Sequence, residues 1–154
     1  MTDLEYMNEA YKEALVAYQE NEVPVGCIIV YKGKIIAKSH NRRHNDKCSL
    51  YHAEILAIEK ACKVLDRWIL SGCTMYVTLS PCIMCTGAVI QSRIERLVVG
   101  AEDERFGCCK SILDEYGEKQ NHQVILKQNV MKKEIEQLMK NFFAEIRKNK
   151  KEEK

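Results

Sequence analysis

The residues with most chemistry to offer are His52 and Glu54, in His52-Ala53-Glu54, and Cys82 and Cys85, in Pro81-Cys82-Ile83-Met84-Cys85. One imidazole and two thiolates are good zinc ligands, and three protein ligands with an open fourth position are how a catalytic zinc is held. Two thiolates balance the charge of the ion, and a water drawn into the open position becomes nucleophilic near neutral pH. Glu54 follows His52 by two residues, a turn of about 200° on a helix, so it lies off the ligand face. It is free to carry protons, which makes the set suited to a hydrolysis with nucleophile and proton carrier in one pocket. A competing reading takes Cys48-x-x-x-His52 with Cys82 and Cys85 as a closed Cys₃His structural zinc site. That reading leaves Glu54 and Pro81 without a task.

These residues need elements to position them. Thr2-x-x-Glu5 forms a capping box. Leu4, Met7, Tyr11, Leu15 and Tyr18 recur at helical spacing, predicting a first helix over residues 3–20. Apolar, β-branched runs predict strands at 25–31 and 34–38, joined by Lys32-Gly33, and at 74–79, 96–101 and 124–126. A second helix opens at His52 and runs to about Asp66. Another opens at Cys82 and runs to Ser92, a short one lies near 112–116, and an amphipathic helix closes the chain over 131–148. Cys82 and Cys85 then share one face of a first turn, where the helix dipole favours thiolates. His52 opens its helix in the same way. Two helices starting at the carboxyl ends of neighbouring strands would bring the ligands together. The polar stretch 39–51 is a long loop of the kind that serves function. Helices alternating with strands predict an α/β fold, a mixed five-stranded sheet covered on both faces. A single domain is expected over 1–148, with 149–154 a disordered basic tail.

At 154 residues, with 46% apolar and 30% charged residues, the chain suits one core without disulfides or repeats. There is no run of about 18 apolar residues to span a membrane. The acidic start lacks the regions of a signal peptide, so a cytoplasmic location is expected. Eight cysteines are too many to ignore, but without an export signal they do not read as a disulfide scaffold. Cys27, Cys62 and Cys73 lie in apolar segments and read as small buried hydrophobes. Trp68 is expected to pack under the second helix. A net charge of +2 permits nucleic-acid binding without arguing for it, although six basic and three acidic residues crowd Lys140 to Lys154.

The pattern His-x-Glu…Pro-Cys-x-x-Cys is the known signature of zinc nucleobase deaminases. Over residues 5–147 the chain resembles the bacterial tRNA-specific adenosine deaminases of the cytidine/deoxycytidylate deaminase superfamily. The resemblance is carried by Asn21-Glu22-Val23-Pro24-Val25-Gly26, His40-Asn41-Arg42, both halves of the metal motif, Ser92-Arg93-Ile94, Gly100-Ala101-x-Asp103, Asn121-His122 and Phe142-Phe143. It implies a three-layer α/β/α sandwich of cytidine deaminase type, a homodimer with active sites near the interface, and one zinc (Zn2+) per subunit. It further implies that His52, Cys82 and Cys85 bind the metal and that Glu54 shuttles protons. Asn41 would hold the target nucleotide, the Ala53 backbone would read the base, and Asp103 would lie near the ribose. The helix around 143–148 would lie along the anticodon loop of the tRNA. For Asn41 the alternative is loop capping, and for Phe142 and Phe143 core packing. Two residues depart from the pattern. Ser80 stands where the family commonly has Glu, as in small cytosine deaminases, and bulky Tyr51 precedes the histidine. Deamination of a free base or nucleoside (cytosine, guanine or cytidine) is therefore the alternative activity.

Overall fold

The computed structural model describes residues 1–117, 119 and 122–152. Thr2 caps α1 (Asp3–Gln19), its Oγ1 accepting the Glu5 amide at 3.2 Å. Of the expected stripe, Met7 is buried and Tyr11 packs against the core, but Leu4 and Leu15 are exposed and the rest of the buried face is Tyr6, Ala10, Ala14 and Ala17. The reason lies on β1 (Gly26–Tyr31). A Cβ on Gly26 would sit 2.0 Å from the Ala10 carbonyl oxygen and 2.5 Å from the Ala14 amide. Helix and strand thus touch backbone to backbone, and only small residues fit between them.

β2 (Lys34–His40) pairs antiparallel with β1, which pairs antiparallel with β3 (Cys73–Leu79) on its other side. β4 (Arg96–Ala101) and β5 (Ile125–Lys127) extend the sheet in parallel, giving the order β2-β1-β3-β4-β5. This is the mixed five-stranded sheet expected. β1, β3 and β4 are buried on both faces, and side chains alternate between two cores as strand periodicity requires. Ile28, Val30, Tyr76 and Val98 meet α1 and Ile135 of α5 (Lys132–Glu152). Cys27, Ile29, Met75, Val77, Leu97 and Val99 meet α2 (Ala53–Leu65), α3 (Ile83–Gln91) and α4 (Cys109–Tyr116). The layers are therefore helix, sheet, helix. α2 also packs through alanines, with Ala53, Ala57 and Ala61 fully buried.

Cys27 and Cys73 are buried as expected, whereas Cys62 is only partly covered. Trp68 is 64% exposed rather than packed under α2. It follows the left-handed Asp66 that ends that helix, and Leu70 rather than Trp68 enters the core. α5 continues to Glu152, into the stretch expected to be a disordered tail, because the Lys and Glu residues there are good helix formers. Glu153 and Lys154 lie outside the described residues. No described helix is long and apolar enough to cross a membrane.

Asp3 ties the start of α1 to the far side of the sheet. Its carboxylate takes a bidentate contact from Arg96, a hydrogen bond from the Tyr76 hydroxyl at 2.7 Å and a contact from Lys127. The Arg96 hydrogen bonds, with Lys127 and Tyr76 adding to them against partial burial, hold this carboxyl well below the usual carboxylate range. A depressed folded-state pKa contributes stability that is present above the unfolded value of about 3.9 and is lost as pH falls through the folded value. Asp3→Asn is accordingly expected to lower stability at pH 7 by about 1–2 kcal/mol. The gap to the parent should close as pH falls below about 4, measured by urea midpoints across that range.

Candidate active site

β2 and β3 run in the same direction, with β1 between them, so their carboxyl ends open on the same edge of the sheet without being neighbours. This corrects the expectation of adjacent strands. β1, antiparallel to both, spaces the two helix starts. His52 occupies the N-cap of α2 and Cys82 the N-cap of α3, and Cys85 lies one turn into α3. N-caps favour Ser, Thr, Asp or Asn, whose side chains satisfy the first amides. Neither His52 nor Cys82 makes a regular capping hydrogen bond, although the Cys85 amide is close enough to Cys82 Sγ to favour a thiolate there. Both helices give up capping to aim these side chains at one point.

His52 Nδ1 lies 3.6 Å from Cys82 Sγ and 3.4 Å from Cys85 Sγ, and all three ligand atoms fall within 4.8 Å of one another. A tetrahedral zinc bound at about 2.05 Å by nitrogen and about 2.3 Å by sulfur requires N···S separations of about 3.6 Å. Both N···S separations match that ion, and an N/S₂ donor set suits it. Cys48 and Glu54 are not part of the cluster, which is the sole one of its kind among the described residues. The closed Cys₃His reading therefore has no support in the geometry.

The hydrogen bond from Cys85 holds the Cys82 thiol far down, and the same contact, followed by burial and the charge of Glu54, drives Cys85 up. Glu54, 4% exposed, also contacts Cys85, and burial pushes its carboxyl up against the opposing pull of its own amide and of His52. A buried carboxyl thus stands beside the ligand cluster, off its coordinating face.

The remaining expected site residues are distributed around this centre. Asn41 leaves β2 and is 7% exposed. Its Oδ1 accepts the Arg43 amide at 3.2 Å, so the loop-capping role is realised. The Ala53 carbonyl is taken by Ser39 Oγ at 2.6 Å, and its amide is among the first-turn amides that lack a helical partner. Asp103 Oδ1 accepts the amides of Arg105 and Phe106, folding the 103–107 turn. Ser80 is buried, and its side chain meets Cys109 Sγ at 3.2 Å in the contact between β3 and α4. Cys108, just before it, is near enough to feel the charge of Cys82. Tyr51 grips the loop by its backbone, its carbonyl accepting the Arg42 amide. Phe142 is buried against Tyr18, whereas Phe143 is 41% exposed. Asn121 lies outside the described residues, and the His122 ring bonds the Ile94 carbonyl at 2.7 Å.

Sequence reasoning misses two contributors. Ser39 locks the first turn of α2 to β2, and Glu22 is buried beneath the 41–51 loop. A serine or glutamate beside a strand carries no spacing signal that distinguishes such roles.

Residues 1–147 match the family model of the MafB19-like deaminases. A tRNA-specific adenosine deaminase of Bacillus subtilis (strain 168) is 46% identical over 147 residues, 95% of this chain and 91% of that protein. A solved structure of a tRNA:A34 deaminase, studied for A-to-I editing at the wobble position of transfer RNA, superposes with a TM-score of 0.82. It is 34% identical and covers 87% of this chain and 98% of its own. A guanine deaminase structure from Bacillus subtilis is also 34% identical, but it covers 66% of each chain with a TM-score of 0.64.

Proposed function

Because the chain belongs to the MafB19-like deaminase family and is 46% identical to a tRNA-specific adenosine deaminase, we propose that it hydrolyses adenosine to inosine at the wobble position of tRNA. The observation that carries this reading is the His52–Cys82–Cys85 cluster with the buried carboxyl of Glu54 at its side. Free-base and nucleoside deaminases share that chemistry. Similarity along nearly the full length of tRNA deaminases favours RNA.

His52, Cys82 and Cys85 would hold zinc, which when bound lowers the pKa of water and acts as a Lewis acid. Glu54 would take a proton from the attacking water and pass it to a ring nitrogen of the base. It would then deliver a proton to the departing amino group, so that adenosine and water become inosine and ammonia. The raised affinity of Glu54 for a proton suits a group that must both accept and return one. Asn41, the Ala53 amide and Asp103 are assigned to holding the target nucleotide, each being partly engaged in shaping its own loop. The exposed Lys140, Arg147 and Lys148 of α5, with Phe143, are assigned to the anticodon stem-loop, since phosphate neutralisation supplies much of nucleic-acid affinity. Residues 1–148 would act as one deaminase domain, as a cytoplasmic homodimer.

The test is a single-turnover assay on an arginine tRNA bearing adenosine 34, run beside free guanine, cytosine and nucleosides. Inosine at the wobble position is the expected product. Conversion of a free base without action on tRNA would overturn the assignment.

A further inference from the structure

We propose that Glu22 is a positioning residue for substrate binding, acting through the 41–46 turn on how the target nucleotide is gripped. The proposal rests on the assignment of Asn41 to that nucleotide. Glu22 lies in the link between α1 and β1 and is only 2% exposed. Its Oε1 accepts the His44 amide at 3.1 Å, and its Oε2 accepts the Asn45 amide at 2.7 Å and Asn45 Nδ2 at 2.8 Å. The same link holds the start of the loop. The Val23 carbonyl accepts Asn41 Nδ2 at 3.4 Å, and the Val25 carbonyl accepts the Asn41 amide at 3.1 Å. One short segment therefore templates the entrance to the site, and the Asn41 side chain is held between that segment and the Arg43 amide.

A second tether comes from Glu20, which pairs with Arg42, itself bidentate to Asp46. Those side chains are about a third exposed, and such pairs contribute little because solvent screens them. The carboxylate of Glu22 differs in kind. Among the described residues it forms no ion pair, and although the charge of Arg42 is felt nearby, the groups in direct contact with its carboxylate are hydrogen-bond donors of the loop. A buried, unpaired carboxylate is a costly way to stabilise a fold, and a direct way to hold a turn whose amides point at it. The turn carries Arg43 and leads to His52, so its geometry fixes both the first nucleotide contact and the approach to the reacting centre.

The experiment compares the parent with Glu22→Ala and Glu22→Gln as full-length, metal-loaded proteins. Deamination kinetics on the tRNA, metal content and thermal midpoint are measured for each. Glu22→Ala is expected to raise KM by about tenfold, the size expected for one weakened hydrogen bond to the bound nucleotide. Its metal content should stay at the parent's level. Glu22→Gln keeps one acceptor oxygen in the same space but turns its NH₂ toward a loop N–H that the carboxylate accepted, so its KM should rise above the parent's, with a lowered midpoint and parental metal content. A purely structural role would lower the folded fraction, reducing apparent kcat and the midpoint with KM unchanged, and that result overturns the proposal. If Glu22→Ala does not fold, a parental KM in Glu22→Gln overturns it equally. A parent protein that leaves tRNA unmodified would instead remove the functional assignment, so the two failures are distinguishable.

Discussion

Replacing Glu54 by Gln is expected to lower the rate of tRNA deamination by about 10²–10⁴-fold, the usual worth of a positioned proton carrier. Metal content should remain that of the parent. Glutamine has the shape of a protonated glutamate, and Glu54 is a buried group whose proton is favoured by its surroundings. The substitution therefore removes no volume and leaves no new buried charge, so the fold should survive it. Glu54 lies outside the ligand cluster, so His52, Cys82 and Cys85 keep their geometry. What is lost is a group that can release a proton and take one up within the same turnover, because an amide does neither at neutral pH. Single-turnover rates on tRNA, with metal analysis of the same preparation, check the result. A variant retaining more than about a tenth of the parental rate would show that the proton is carried by some other group.

Much of this site is legible in the amino-acid sequence, because its signals are local. His52 and Glu54 lie two apart, Cys82 and Cys85 three apart, and each pair opens a helix at a position set by periodicity, with Pro81 marking the second. The sheet is equally legible, since runs such as Val25–Tyr31 and Thr74–Leu79 leave few alternatives to buried strands. What escapes is what depends on contacts between distant segments. The buried face of α1 follows from the missing side chain of Gly26, which no reading of the helix alone contains. Asp3 meets Arg96 and Lys127 across most of the chain. Ser80 reads in sequence as a clue to the base, but in the fold its side chain is engaged by Cys109 on α4. Glu22 is visible as part of Glu22-Val23-Pro24, yet only the folded loop shows which amides it answers.

Cys82→Ala and Cys85→Ala are each expected to abolish both metal retention and deamination, whereas Cys48→Ala should leave one metal per chain and near-parental activity. The contrast follows from the ligand atoms: His52 Nδ1 and the two sulfurs converge to distances an ion can span, and Cys48 is not among them. Removing one of three ligands leaves two protein donors and a wider open site, too few to hold the ion during purification. Fold loss is not the expected cause. The two cores on either face of the sheet are built from apolar side chains, with Cys27, Cys73 and Cys109 among them but none of the three ligands, and need no metal to cohere. The alanine variants should still unfold cooperatively, with a lowered midpoint, because a ligand bound only by the native state stabilises it by mass action. Chelation of the parent protein should reproduce that state, and added zinc should restore activity to it but not to Cys82→Ala or Cys85→Ala. Metal analysis, thermal melts and the tRNA assay on the same four proteins decide the matter. If Cys48→Ala also loses its metal, the centre is a closed four-ligand site, and the open position needed for hydrolysis does not exist.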